Sequence, residues 1–131
     1  MSHHPRATDA ELAILKSLWS DGVSTIRQLT DRLYPGGGVS HYATIQKLLE
    51  RLEGKAFVRR EKSGRTHRFE AIVDRRALIG QRLRETAEQL CDGSISPLLT
   101  QLVTDRRLSS DELASLQQLV EELSRAEEEV P

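Results

Sequence analysis

The sequence predicts a mainly α-helical chain in two parts: three helices and a β-hairpin, followed by three more helices. Three observations predict it. Apolar residues recur at helical spacing over most of the 131 positions, as in helices with one buried face. That period gives way to alternation between Phe57 and Ile72, where two strands fit. Charge divides along the same line. Residues 1–72 hold 12 Lys/Arg against 8 Asp/Glu, and residues 73–131 hold 7 against 12. The expected parts are 8–72 and 73–126, with 1–7 and 127–131 as flexible termini.

The first helix starts at Thr8. Thr8 and Glu11 have capping-box spacing, Leu12, Leu15, Leu18 and Trp19 carry its core face, and Asp21-Gly22 ends it. The second runs from about Ser24 to Leu33. Thr25 and Gln28 offer another box, and Ile26, Leu29 and Leu33 face inward. Tyr34-Pro35-Gly36-Gly37-Gly38 reads as a turn. No Gly-Lys-Ser/Thr follows it, so it is not a phosphate loop.

The third helix, Ser40 to Gly54, is expected to start on Ser40 as N-cap and stop at a left-handed Gly54. Ile45, Leu48, Leu49 and Leu52 form its apolar stripe. The opposite face carries Ala43, Thr44, Gln46, Lys47, Glu50 and Arg51, with His41 and Tyr42 near the apolar edge. Small and hydrogen-bonding groups come first and cations later, which suits a helix whose early turns meet base edges. Strands 57–62 and 66–72 follow, joined at Ser63-Gly64-Arg65. Val58, Phe69 and Ala71 cover the core, and Arg59, Arg60, Lys62, Arg65 and Arg68 lie outside or at the tip. Helix, helix, turn, helix and hairpin make a winged helix-turn-helix whose third helix is the recognition helix.

Downstream, a long helix from Val73 to about Cys91 carries Ile79, Leu83, Ala87 and Leu90 on one side. A short apolar one from Ser94 to Val103 contains Ile95, Leu98, Leu99, Leu102 and Val103, with Pro97 in its first turn. Ser109 and Glu112 have capping-box spacing before Leu113, Leu116, Val120 and Leu123, which follow an a/d pattern. Three narrow stripes within about 55 residues do not close a core. They call for a second copy of the chain. Ile79, Leu83, Leu90, Leu98, Leu102, Leu113, Leu116, Val120 and Leu123 are the expected dimerisation residues.

Composition limits the alternatives. Net charge is −1, yet residues 41–68 hold 8 Lys/Arg against 3 Asp/Glu, a local basic patch of the kind that meets phosphate. The single Cys91 excludes an intrachain disulfide and a thiolate metal cluster, and adjacent His3-His4 read as a plain terminus. No cofactor, metal or catalytic site is expected, because Ser, His and acidic residues fall in no nucleophile-elbow or metal-ligand spacing. With no apolar run of membrane length and no leader pattern, the expected location is cytoplasmic. Base-edge candidates are Ala43, Thr44, Gln46 and Lys47. Phosphate candidates are Arg51, Arg59, Arg60, Lys62 and Arg65. A winged-helix protein-interaction module and a small-molecule-gated regulator are the alternative readings.

Short strings carry a resemblance. Thr8-Asp9-Ala10-Glu11-Leu12 with Leu18-Trp19, Ala43 to Leu52, Gly64 to Phe69, Gly93-Ser94 and Leu108 to Leu113 resemble, in order and spacing, the repressors of the BlaI/MecI/CopY type. The similarity covers residues 8–123. It implies a homodimeric transcriptional repressor of an operator with dyad symmetry, relieved in some members by a regulatory protease that cuts in the dimerisation part. By position that bond is Gln101-Leu102 here. The antibiotic-responsive members carry Asn-Phe there and the copper-responsive branch has a C-terminal Cys cluster, so this chain departs from both.

Overall fold

A computed structural model describes residues 6–129. They form α1 (Asp9–Asp21), β1 (Ser24–Thr25), α2 (Ile26–Leu33), α3 (Val39–Gly54), β2 (Val58–Ser63), β3 (Thr66–Ala71), α4 (Arg75–Leu90), α5 (Ser96–Thr104) and α6 (Ser110–Glu129). The chain falls into two compact units that meet between Ile79 and Gly80, inside α4. Each is described by itself.

In the first unit, α1, α2, α3 and the hairpin enclose one core of Ile14, Leu15, Leu18, Leu29, Ile45, Leu48, Leu49, Leu52, Phe57, Val58 and Phe69. The first turn of α4 joins it through Leu78, and Ala7 packs there as well. Residues 6 and 7 are thus not a loose lead: Lys55 Nζ donates to the Arg6 carbonyl at 2.6 Å. The core face of α1 is Glu11, Ile14, Leu15 and Leu18, a clean i, i+3, i+4, i+7 stripe headed by an acid. Leu12 and Trp19, expected in its centre, flank it half-buried. Trp19 Nε1 donates to the Val73 carbonyl at 2.9 Å.

Glu11 corrects the expected box. The Thr8 hydroxyl does accept from the Glu11 N–H at 3.2 Å. The Glu11 carboxylate, however, turns to Lys55 at 2.7 Å and accepts from the Thr8 hydroxyl at 3.1 Å. Only 1% of that side chain is exposed. A carboxylate removed from water needs a counter-charge and hydrogen bonds, and Lys55, just past α3, supplies the charge.

The box on α2 forms as expected between Thr25 and Gln28. Thr25 caps the helix as expected, and Ser24-Thr25 also pair with Phe69 and Arg68 as a short third strand, giving the order β1-β3-β2. In the turn before α3, the Gly37 N–H donates to the Tyr34 carbonyl at 2.7 Å. Pro35 and Gly36 hold the middle positions, and Gly36 has φ 76, the pattern of a type II turn. A Cβ on Gly37 would lie 2.8 Å from the Tyr34 oxygen, so both glycines are required there.

The expected ends of α3 shift. Gly38, not Ser40, is its N-cap, and Gly54 is its last helical residue. The left-handed residue is Ala56, with φ 62. The Phe57 N–H reaches the Leu52 carbonyl at 2.9 Å and the Ala56 N–H reaches Glu53 at 3.0 Å, a Schellman closure on a non-glycine residue.

In the second unit, α4 ends before Asp92, and α5 begins at Ser96 rather than Ser94, with Pro97 in its first turn. The Ser109–Glu112 box closes fully, with backbone N–H to side-chain oxygen distances of 3.0 and 3.1 Å. Residues 127–129, expected to fray, continue α6. Among the described residues from Gly80 onward, Ala87 alone is buried. The remaining expected terminal residues, 1–5 and 130–131, lie outside the described range.

Candidate nucleic-acid interface

The interface begins with the two faces of α3. Ile45, Leu48, Leu49 and Leu52 are its buried residues, so the packing locks its rotation about its own axis. The turned-out face then carries Ala43, Thr44, Gln46, Lys47, Glu50 and Arg51, all exposed. Helical period alone had placed these side chains, and burial of the stripe puts them together. The Thr44 hydroxyl donates to the Ser40 carbonyl at 3.0 Å. Its proton is used within the helix, leaving an acceptor oxygen and a methyl group to face outward. His41 does not join this surface, since its ring lies 4.6 Å from that of Tyr34. Tyr42 is 37% exposed.

The hairpin register sorts the wing cations, which their sequence order could not do. Val58 pairs with Ala71, Arg59 with Glu70, Arg60 with Phe69, Glu61 with Arg68 and Lys62 with His67. Alternation puts Val58, Arg60 and Lys62 on one face and Arg59 and Glu61 on the other. Arg59 meets Glu70 at 2.8 Å, and Arg68 stands across from Glu61. Arg60 meets Glu53 at 2.7 Å. Of the five wing cations, Lys62 and Arg65 are thus the two with no acidic residue opposite them. Arg65 sits in the two-residue loop, after Gly64 at φ 70, the conformation that such a tight hairpin loop needs.

The functional residues that sequence reasoning missed are those that hold this surface together. Glu53 and His67 partner Arg60, and Glu11 partners Lys55 across 44 positions. Long-range ion pairs leave no periodic signal. Among the described residues no cluster of three metal-ligand side chains occurs, and no helix is long and apolar enough to cross a membrane.

A three-helix unit with a buried recognition-helix stripe and a two-stranded wing defines a winged helix-turn-helix. Comparison with known proteins then gives the family. The Penicillinase repressor family model matches residues 7–122, and the chain belongs to that family of DNA-binding transcriptional repressors. A repressor is not an enzyme class. The chain is 30% identical over 113 residues to an uncharacterized 16.5 kDa protein in the ptsI 3' region of Latilactobacillus sakei, covering 86% of this chain and 77% of that one. It is 25% identical over 122 residues to the penicillinase repressor of Bacillus licheniformis, covering 93% and 94%. The solution structure of the DNA-binding domain of the repressor BlaI aligns with 57% of this chain and 90% of its own, at 26% identity and a TM-score of 0.47.

Proposed function

We propose that the protein is a cytoplasmic repressor that binds an operator of dyad symmetry as a homodimer. In this reading α3 enters the major groove, Ala43, Thr44, Gln46 and Lys47 meet base edges, and Arg51, Lys62 and Arg65 meet phosphates. The observation that carries it is the division of α3: four aliphatic side chains are buried on one face, and the whole opposite face is exposed beside a basic hairpin. A helix held in this way presents a fixed set of donors and acceptors to a groove.

The dimer reading rests on the second unit. None of the α5 residues is buried. Leu102, Leu116, Val120 and Leu123 are 43, 38, 60 and 59% exposed. An apolar groove of about 520 Å³ runs between α5 and α6, lined by Leu99, Leu102, Leu113, Leu116 and Val120. That much exposed aliphatic surface calls for a partner, and a second copy brings the matching stripe and sets two α3 helices at two half-sites. Ile79, Leu83 and Leu90, at 52, 44 and 78%, extend the same reading along α4; Leu98 is half-buried. A regulatory protease cutting at Gln101-Leu102 would sever α6 from the chain. Gln101 is exposed and its side chain bonds Asp105, one turn on, at 3.0 Å, so local opening of α5 disturbs no buried contact of that residue.

Retarding the promoter fragment of the chain's own operon with purified protein tests the proposal. Binding of that fragment in preference to a scrambled one, by a particle of dimer mass, is expected. Equal, salt-insensitive behaviour toward both would reject it.

A further inference from the structure

Arg60 lies where the recognition helix meets the wing. Its Nη2 donates to Glu53 Oε1 in the last turn of α3 at 2.7 Å. Its Nη1 is 2.9 Å from His67 Nδ1 on β3, and its guanidinium carbon is 5.0 Å from the centroid of Phe69. Arginine carries donors alone, so His67 Nδ1 is the acceptor and the imidazole proton sits on Nε2. The Arg60 and Glu53 side chains are 33% and 29% exposed, which makes them more sheltered than the Arg59–Glu70 pair at 66% and 37%. One side chain thus ties α3, β2 and β3 together, with its charge paired to a carboxylate and its guanidinium over the Phe69 ring.

We infer that Arg60 is a positioning residue: it fixes the angle between the hairpin and α3, and so the spacing between the base-reading face and Lys62 and Arg65. The inference rests on the DNA-binding reading above and refines it. A phosphate role would leave the guanidinium free. Here a carboxylate and an imidazole nitrogen hold two of its five donors and fix its direction along the hairpin, and a phosphate approaching those same donors would have to displace them.

The sign of one substitution separates the two roles. Glu53→Gln removes a negative charge near a polyanion and reduces the tie to Arg60 from an ion pair to a weaker bond with a neutral amide oxygen. If Arg60 were a phosphate ligand, operator binding would tighten. As a strut, it loses the ionic part of its anchor, and binding weakens by up to about tenfold, the scale of coupling between residues in direct contact. Arg60→Gln should weaken binding by a similar factor, and the double variant by no more than either alone. The slope of log K against log salt should stay at the wild-type value, whereas removal of a phosphate-binding cation lowers it by about 0.9. Arg60→Lys keeps charge and solubility but not the planar fork. It should bind more weakly than wild type at unchanged slope.

Nuclear magnetic resonance of the free protein supplies a readout independent of DNA. His67 should show the Nε2–H tautomer in the wild type, and the Gly64 amide should become more mobile in Glu53→Gln and Arg60→Gln. Tighter binding by Glu53→Gln, a lowered salt slope in Arg60→Gln, or an unchanged Gly64 amide would overturn the strut. Failure of the wild type to bind any duplex would instead overturn the DNA-binding reading, and the Gly64 amide would still decide the strut.

Discussion

Thr44 and Lys47 sit one turn apart on the exposed face of α3, and their chemistry differs. With its hydroxyl proton given to Ser40, Thr44 offers a methyl group and lone pairs, which suit a thymine methyl or a base amine. Lys47 offers donors for guanine. Replacing either with alanine should reduce discrimination between operator and scrambled duplex by about 1–3 kcal/mol, measured by fluorescence anisotropy at one salt concentration. Lys62 and Arg65 call for a different measurement. Their joint replacement by alanine should weaken both duplexes alike and lower the salt slope by roughly 0.9 for each phosphate no longer neutralised. Thermal stability should move by no more than about 0.5 kcal/mol, because neither side chain faces an acidic residue across the hairpin. Pairing Arg60 with Arg65 in that experiment would mix two effects, since Arg60 also holds Glu53 and His67.

At the level of elements, the helix ends and their clasps set stability. α3 closes on Ala56 at φ 62, a conformation that disfavours any residue with a Cβ. Ala56→Gly should raise stability by about 0.5–1 kcal/mol, the left-handed penalty less the extra chain entropy of glycine. Lys55→Met should act the other way. It leaves Glu11 in the core without its counter-charge, and loss of one partner of a buried pair costs about 3 kcal/mol. Thermal unfolding followed by circular dichroism measures both. The α6 cap responds to pH. The Ser109 backbone N–H, and after it the Ser109 side chain, hold the Glu112 carboxyl below the ordinary glutamate value. A depressed folded value means that the cap's contribution is complete above the ordinary glutamate value. It is lost as pH falls through the lowered one. Helicity lost on acidification should therefore be smaller in Glu112→Gln than in the wild type over that window.

For the whole molecule, the two units differ in how they satisfy the hydrophobic effect. The first buries aliphatic side chains from all three of its complete helices and from the hairpin. The second leaves Leu90, Leu102, Leu119, Val120 and Leu123 in water, an arrangement that association would relieve. Charging two positions, Leu116→Glu with Val120→Glu, should convert a dimer to a monomer in light scattering at micromolar concentration. Operator affinity should then fall steeply, because one half-site supplies only part of the interface. A wild-type monomer at that concentration would remove the basis for a dyad-symmetric operator.

Local patterning was enough to specify the α3 stripe of Ile45, Leu48, Leu49 and Leu52, the hairpin turning at Gly64, and the Thr25–Gln28 and Ser109–Glu112 boxes. Each is set by groups within a few residues of one another, and periodicity and spacing encode such neighbours directly. The remaining features arose only when distant parts of the chain met. Ser24-Thr25 became a strand because Phe69 and Arg68 offered it an edge. Glu11 entered the core because Lys55, 44 positions away, came to meet it. The five wing cations, alike in the sequence, were divided by cross-strand register into paired charges, a strut and two side chains with no acidic residue opposite them. Which partner a charge meets depends on distances through space, and those exist only once the core has closed.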